Sequence, residues 1–205
     1  MARWDPGTAQ RLTRAALELC TEHGYDNVTV TQIAERAGIT RRSYFRYFPD
    51  KREVLFAGSE RLAPAVGDAV RAVEGDGAPL TVALTALARV GTLLVDHLDR
   101  TAERRAVIAS SPELQERERT KTAAVTAAIG DALRHRGVDA DRARTAAQLA
   151  TVAFQNAFDR WIDAQGRTDI AACLDAAVAE LRDTLTADTG RPHRPRRSPR
   201  TGRGR

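Results

Sequence analysis

Hydrophobic residues recur at helical spacing along nearly the whole chain. Over residues 8–23, Leu12, Ala16 and Leu19 fall on one face and charged residues on the other, and Gly24 supplies the left-handed position that ends a helix. No stretch of four or more residues alternates between apolar and polar, so a sheet is not expected. The pattern predicts an all-α fold of about nine helices.

Two short helices should follow the first, separated by a turn that contains glycine. Thr29 to Gln32 reads as a Thr-x-x-Gln capping box, which predicts the start of a helix. Gly38 should end that helix, and Thr40 is placed to cap a third one over residues 41–48. A helix, a tight turn and a second short helix form a helix-turn-helix unit. We therefore predict a three-helix DNA-binding head over residues 1–54.

The remaining helical segments predict a C-terminal bundle over residues 55–187. A long helix is expected over 51–73, with a bend or break near Leu62 because Pro64 removes an interior hydrogen bond. After a Gly- and Pro-containing linker, the other helices are expected at 79–98, 101–110, 112–136, 139–165 and 168–187. Residues 188–205 are rich in Arg, Pro and Gly and are predicted to be a disordered tail.

Composition and charge limit the classes of function. The chain has 205 residues, 42% hydrophobic and 29% charged, which is ordinary for a soluble globular protein. Its net charge is +5, but seven arginines and no acid lie beyond residue 188, so the rest carries about −2. Overall charge is therefore no argument for nucleic-acid binding. No apolar run of about 18 residues and no signal-peptide pattern occurs, so we expect a cytoplasmic protein without a membrane span.

Catalytic and metal-binding patterns are missing from the sequence. The two cysteines, Cys20 and Cys173, are far apart, and the four histidines show no metal-ligand spacing. There is no Gly-rich phosphate loop and no nucleophile elbow. We expect no enzyme activity, no metal and no cofactor.

The third predicted helix carries the chemistry of a recognition helix. Arg41 and Arg42 lie at its N-terminus, and arginine pairs well with the O6 and N7 atoms of guanine. Thr31 and Thr40 place hydroxyl groups at two helix N-termini, where phosphate oxygens bind readily. The alternative is that these arginines only form the solvated face of a short helix.

The same segment resembles the N-terminal signature of the TetR family of bacterial regulators. The resemblance runs from Gly24-Tyr25 through Ala37-Gly38-Ile39-Thr40 to Tyr47-Phe48-x-x-Lys51 and covers about the first 55 residues. It implies DNA contacts by Thr31, Thr40, Arg41, Arg42, Ser43, Tyr47 and Lys51.

Two features depart from the usual family pattern. Phe45 lacks the phenolic hydroxyl that would bond phosphate, so an apolar contact, for example with a thymine methyl group, is expected there. Arg41 and Arg42 replace smaller residues, which predicts an operator that depends more on guanine than is usual.

The two last helices are candidates for a dimer interface. The TetR resemblance implies that two helices from each subunit form a four-helix interface, and a two-fold dimer suits a palindromic operator. The stripes could instead pack within one subunit. The predicted interface residues are Leu149, Ala153, Leu174, Val178, Leu181 and Leu185.

An aromatic group on the helix at 139–165 is a candidate ligand pocket. Phe154, Phe158 and Trp161 are spaced i, i+4, i+7, which fits either a pocket or ordinary core. Possible polar partners are Arg89, His97 and Asn156. A narrower resemblance to an actinobacterial subgroup implies a small hydrophobic or acyl-CoA-like effector.

Together these features predict a transcriptional regulator that binds double-stranded DNA as a homodimer. The leading hypothesis is a repressor that a small-molecule effector releases from a palindromic operator. The alternative is an architectural DNA-binding protein that is nonspecific and has no effector. The sequence leaves open the effector, the target genes, repression or activation, and the role of the arginine-rich tail.

Overall fold

The computed structural model describes residues 6–95 and 100–189, and the described ranges contain nine α-helices and no strand. The predicted all-α fold is confirmed. The helices are α1 Pro6–His23, α2 Val30–Arg36, α3 Arg41–Tyr44, α4 Leu62–Arg71, α5 Pro79–Val95, α6 Thr101–Ala109, α7 Pro112–His135, α8 Ala140–Asp163 and α9 Ile170–Thr189. We call α1–α3 the head and α4–α9 the body. His97 and the tail beyond residue 189 lie outside the described residues.

The predicted capping box opens α2. The Thr29 hydroxyl oxygen accepts a hydrogen bond from the Gln32 N–H at 3.3 Å, and the Gln32 side-chain oxygen accepts one from the Thr29 N–H at 2.8 Å. Gly38 follows α2 with a φ of 74°, which a side chain rarely tolerates. The turn can therefore reverse tightly before α3 begins.

The helix predicted over residues 51–73 is confirmed only after the expected break near Leu62, where α4 begins, and is wrong before it. Glu53–Phe56 and Ser59–Arg61 are two short 3-10 turns, and Gly58 breaks the chain between them with a φ of 81°. Because α4 begins only at Leu62, Pro64 lies in its first turn, where no backbone N–H is needed for an intrahelical bond. The proline therefore does not kink the helix.

The body packs its long helices around two apolar clusters. The first fills the space between α4, α5, α7 and α8, and the second lies between α5, α8 and α9. Arg136, just after α7, donates to the carbonyl oxygens of Val73 and Gly75 at 2.6 Å each. These bonds tie the end of α4 to the end of α7.

The body also contributes to the core of the head. Val107 of α6 and Leu114 of α7 are buried in the same apolar cluster as α1 and the residues after α3. Arg100, which precedes α6, lies 3.3 Å from the Glu18 carboxylate of α1. A displacement of α6 or α7 would therefore act directly on the head. The predicted boundary after residue 54 stays a prediction.

Candidate nucleic-acid interface

The start of α3 is held by its own cap. The Thr40 hydroxyl oxygen accepts from the Ser43 N–H at 3.2 Å and its hydroxyl group donates to the Ser43 hydroxyl oxygen at 3.1 Å. Arg41 and Arg42 directly follow this cap and are both exposed. Two guanidinium groups are therefore presented from a fixed helix N-terminus, as base reading in the major groove requires.

Tyr44 anchors α3 in the core of the head. It is 0% exposed, and its hydroxyl group donates to the carbonyl oxygen of Asp50 at 2.9 Å. Burial raises the pKa of Tyr44, and the nearby Asp50 carboxylate adds to this effect. Tyr44 is not among the predicted site residues, although Tyr44 and Phe48 are spaced i, i+4 and both face the core.

Phe45 has the opposite environment to Tyr44. It is 45% exposed, and the Arg41 guanidinium lies 5.5 Å from the centre of its ring. This distance is that of a cation–π contact, which orders an otherwise flexible arginine. The predicted apolar contact by Phe45 thus has a suitable surface. Of the other predicted contacts, Thr31 is exposed, whereas Ser43 and Tyr47 are partly exposed.

Lys51 has a structural role that the sequence did not reveal. Its ammonium group donates to the carbonyl oxygens of Tyr25 at 2.8 Å and Val28 at 3.0 Å, and lies 3.9 Å from the centre of the Tyr25 ring. An ammonium group has three N–H donors, so two of them are used inside the head. In this structure the Lys51 side chain holds the loop after α1, and its contact with DNA stays a prediction for the remaining N–H group.

A two-bond ion pair joins α7 to the segment that follows α3. Arg117 of α7 contacts Glu53 through two hydrogen bonds, 2.6 Å from Nε to Oε1 and 2.9 Å from Nη2 to Oε2. The Arg117 guanidinium also lies 5.1 Å from the centre of the Phe56 ring. The Glu53 carboxylate raises the pKa of Arg117 through these bonds. Sequence patterns could not find this pair because its members are 64 positions apart.

Comparison with known proteins identifies the family of the chain. Residues 12–57 match the model of bacterial regulatory proteins of the tetR family, and residues 77–186, more than half of the chain, match the MftR C-terminal domain. The chain belongs to the TetR family. Members of this family are helix-turn-helix transcriptional regulators and not enzymes, as the sequence predicted.

Individual relatives support this assignment. The regulator TcmR of Streptomyces glaucescens is 31% identical over 47% of this chain and 54% of its own length. The chain spans about half the length of TcmR and about a third of the length of a Mycobacterium tuberculosis regulator that it also matches. These relatives fit the actinobacterial resemblance.

Solved structures share the fold at low sequence identity. SmeT of Stenotrophomonas maltophilia in complex with triclosan aligns with a TM-score of 0.57 at 18% identity, over 85% of this chain and 91% of SmeT. FadR of Bacillus subtilis in complex with stearoyl-CoA aligns with a TM-score of 0.54 at 17% identity, over 83% and 95%. The TetR-family fold therefore extends over the body as well as the head.

The body of this TetR-family chain stacks the three predicted pocket aromatics in a row. The ring centres of Phe154 and Phe158 are 6.4 Å apart and those of Phe158 and Trp161 5.7 Å apart, with planes 15° from parallel in each pair. A Cβ atom on Gly91 of α5 would lie 2.9 Å from the Phe154 ring, so the row packs closely on α5. Two open clefts, of about 730 and 610 Å³, lie along α7 and are not lined by these rings.

Of the three predicted polar partners, Arg89 and Asn156 face away from the rings, and His97 lies outside the described residues. Arg89 and Asn156 are both exposed. Arg89 lies two positions before Gly91, and Asn156 lies two positions after Phe154, whose ring packs on Gly91. Two positions on an α-helix are about 200° apart, so both side chains leave the opposite face. In this structure, Arg89 and Asn156 are therefore not partners of the rings.

Two of the predicted dimer-interface residues are buried within the single chain, and the interface itself stays a prediction. Ala153 and Leu174 are 1% and 3% exposed within the single chain, because they belong to the core between α5, α8 and α9. Side chains already buried in one subunit offer little area to a second one. Val178 and Leu181 are partly buried against the same core and Leu149 is partly exposed, whereas the side chain of Leu185 lies outside the described part.

The described residues also bear on membrane insertion and metal binding. None of the described helices is long and apolar enough to cross a membrane. The same residues contain no group of three His, Cys, Asp or Glu side chains that could hold a metal ion.

Proposed function

We propose that this chain is a ligand-released repressor that binds a palindromic operator as a homodimer in the cytoplasm. The observation that carries the proposal is the geometry of α3, where Arg41 and Arg42 leave a capped helix N-terminus toward solvent. Tyr44 anchors the other end of this helix, so the backbone that carries the arginines is ordered before DNA binds.

Base recognition is proposed to come from Arg41, Arg42 and Phe45. An arginine can bind both O6 and N7 of a guanine, and an exposed ring can contact a thymine methyl group. The hydroxyl groups of Thr31, Thr40 and Ser43, and the phenol of Tyr47, are proposed to bind phosphate or sugar oxygens. We therefore expect the side chains of α3 that contact bases to determine the sequence preference. The contacts with phosphate and sugar oxygens should fix the position of the protein along the DNA.

Dimerisation is proposed through the outward faces of α8 and α9. Val152 of α8 is an exposed large apolar residue, and Ala172, Ala176 and Ala179 of α9 are small and exposed. Small side chains allow the close approach of helices that a four-helix interface needs. Replacing Ala176 with arginine should turn the dimer into monomers in sedimentation experiments. The same change at exposed Ala124 of α7 should leave it intact.

The effector is proposed to be a small hydrophobic or acyl-CoA-like molecule bound in the body. Support comes from the stacked row of Phe154, Phe158 and Trp161, and from the bound stearoyl-CoA and triclosan of two proteins with the same fold. An effector that binds better to one body conformation shifts the population toward it. Arg117 and the buried Val107 would pass that shift to the head.

One experiment tests recognition and release together. The operator is first selected from random DNA with the full chain, and labelled operator is then titrated with protein in the presence of stearoyl-CoA, triclosan or neither. We expect a two-fold symmetric site and a loss of affinity of at least tenfold with one of the two compounds. An operator without symmetry, or unchanged binding with both compounds, would contradict the proposal.

A further inference from the structure

Arg41 and Phe45 lie against each other on the exposed side of the head. They are four positions apart, so their side chains leave the same side of the helical turn that begins α3. The Arg41 guanidinium carbon is 5.5 Å from the centre of the Phe45 ring. Arg41 is exposed, and 45% of Phe45 is open to solvent. A charged group and an apolar ring therefore form one continuous surface.

The ring of Phe45 is also held by the core of the head. Tyr44 contacts it edge-on, with ring centres 5.5 Å apart and ring planes 80° from parallel. Tyr44 is itself fully buried, and its hydroxyl group donates to the carbonyl oxygen of Asp50. The contacts with Tyr44 and Arg41 together favour one orientation of the Phe45 ring.

The hydrogen-bond donors of Arg41 are not used within the described part of the chain. In that part, Arg41 has no ion pair with a carboxylate and no side-chain hydrogen bond, whereas Arg36 of α2 is paired with Glu18 and Glu22. The contact with Phe45 involves the charge of the guanidinium and leaves its N–H groups available. Arg41 can therefore donate to both the O6 and the N7 acceptors of a guanine.

The Phe45 ring offers a neighbouring base only an apolar contact. A phenyl ring has no donor or acceptor, so it does not distinguish the O4 atom of thymine from the N4 amino group of cytosine. It does contact the C5-methyl group, which thymine presents in the major groove and cytosine lacks. 5-Methylcytosine carries the same methyl group at the same ring position. The ring therefore selects a methyl group and not a particular base.

We infer that Arg41 and Phe45 act as one unit, which binds a guanine next to a pyrimidine with a C5-methyl group, either thymine or 5-methylcytosine. The inference rests on the proposed function, since it specifies the DNA that α3 binds. Neighbouring base pairs are about 3.4 Å apart, and the 5.5 Å between guanidinium and ring is long enough to span that step. With Arg41 level with the guanine, Phe45 reaches the base pair beside it. Binding then responds to methylation of the DNA site.

Base analogues in the selected operator test the inference on the full wild-type chain. Uracil replaces the thymine beside the guanine in both half-sites, which removes only the two methyl groups. A second pair of duplexes carries cytosine or 5-methylcytosine at the same positions. A buried methyl group corresponds to roughly fourfold in affinity, so two of them predict about a tenfold loss with uracil. We expect a similar ratio between 5-methylcytosine and cytosine. Fluorescence anisotropy at one fixed salt concentration measures the four affinities.

Three variants show whether the two residues act together. Phe45→Ala and Arg41→Ala should each abolish both methyl effects, because the first removes the ring and the second removes the contact that positions it. Arg42→Ala is the matched control, since Arg42 leaves the same helical turn and has no contact with the Phe45 ring in the described structure. It should weaken binding overall and keep both methyl effects. Melting temperatures establish that each variant is folded.

Two results would overturn the inference and leave the proposed function intact. They are unchanged wild-type affinity with uracil, and methyl effects in Phe45→Ala that equal those of the wild type. Selected half-sites in which no guanine has a thymine neighbour would count against it in the same way. A uracil effect without a 5-methylcytosine effect would overturn the response to methylation and leave thymine as the ligand. Failure to select any preferred sequence would instead overturn the proposed function, and this inference with it.

Discussion

The bonds that shape the DNA-binding surface of the head are local, whereas those that shape the body are long-range. Thr40 bonds to Ser43 three positions away and Tyr44 to Asp50 six positions away. In the body, Arg105 reaches Asp159 across 54 positions and Arg136 reaches Gly75 across 61. The recognition helix is therefore defined by a short stretch of sequence, but the sensing body is defined only once its helices have packed.

The largest expected difference in stability is between substitutions of two adjacent aromatic residues, Tyr44 and Phe45. Tyr44→Ala should lower the free energy of unfolding by about 3–5 kcal/mol, because it removes a buried ring and its hydrogen bond. Phe45→Ala should cost less than about 1 kcal/mol because Phe45 is largely exposed. Urea denaturation of both variants measures the difference. Similar losses for both would show that α3 does not depend on Tyr44 alone.

The arginines of α3 should affect DNA binding without affecting stability. Arg41→Ala and Arg42→Ala should each weaken operator binding by about 1–3 kcal/mol and relax the preference for guanine, since each bidentate contact is lost. Fluorescence anisotropy with operator and single-base variants measures this. Arg134→Ala, an exposed position on α7 paired only with nearby Asp131, is the matched control. An unchanged half-site preference would remove Arg41 and Arg42 from base recognition.

The ion pair between Arg117 and Glu53 allows the effect of a long-range contact to be compared with that of a local one. Arg117→Met removes the closer partner of the partly buried Glu53 carboxylate and leaves Arg52 at 3.7 Å, so it should cost about 1–3 kcal/mol in unfolding free energy and reduce the effector response of operator binding. Arg119→Met breaks an exposed pair with Glu116, three positions away, and should cost at most about 1 kcal/mol. Denaturation and operator titration with effector measure both. Equal behaviour of the two variants would argue against transmission through Arg117.

The smallest effect concerns the pH dependence of the head. Burial raises the pKa of Cys20 to about 11, so the thiol of the unfolded chain ionises first as pH rises. Stability from this group is therefore complete below about pH 9 and is lost as pH rises toward about 11. Thermal melts at pH 8 and pH 10 should show a smaller decrease in Cys20→Ala than in the wild type. Identical decreases would place the alkaline sensitivity in other groups, such as Tyr44.

Sequence patterns predicted what depends on neighbours and missed what depends on distant partners. The caps at Thr29 and Thr40 and the turn at Gly38 follow from residues within a few positions. The role of Lys51 was missed because its acceptors, the carbonyl oxygens of Tyr25 and Val28, become available only when the loop after α1 folds back.

The same limit explains the predictions for the body. Helical stripes correctly marked Leu174 as an apolar contact residue, but a stripe does not say whether its partner is the same chain or a second copy. Gly58, with a φ of 81°, interrupts the long predicted helix just after Leu55 and Phe56, which are buried in the core of the head.

Recognition of a DNA sequence by α3 is tested most directly by the ratio of the affinities for operator and for scrambled DNA. The full chain is titrated at physiological salt with its selected operator and with the same duplex after both half-sites are scrambled. Sequence-specific regulators bind their operators about 10³- to 10⁷-fold more tightly than unrelated DNA. We predict a ratio of at least about 10³ that falls sharply in the Arg41→Ala, Arg42→Ala double variant. A wild-type ratio below about 10 would contradict the account and indicate a nonspecific DNA-binding protein.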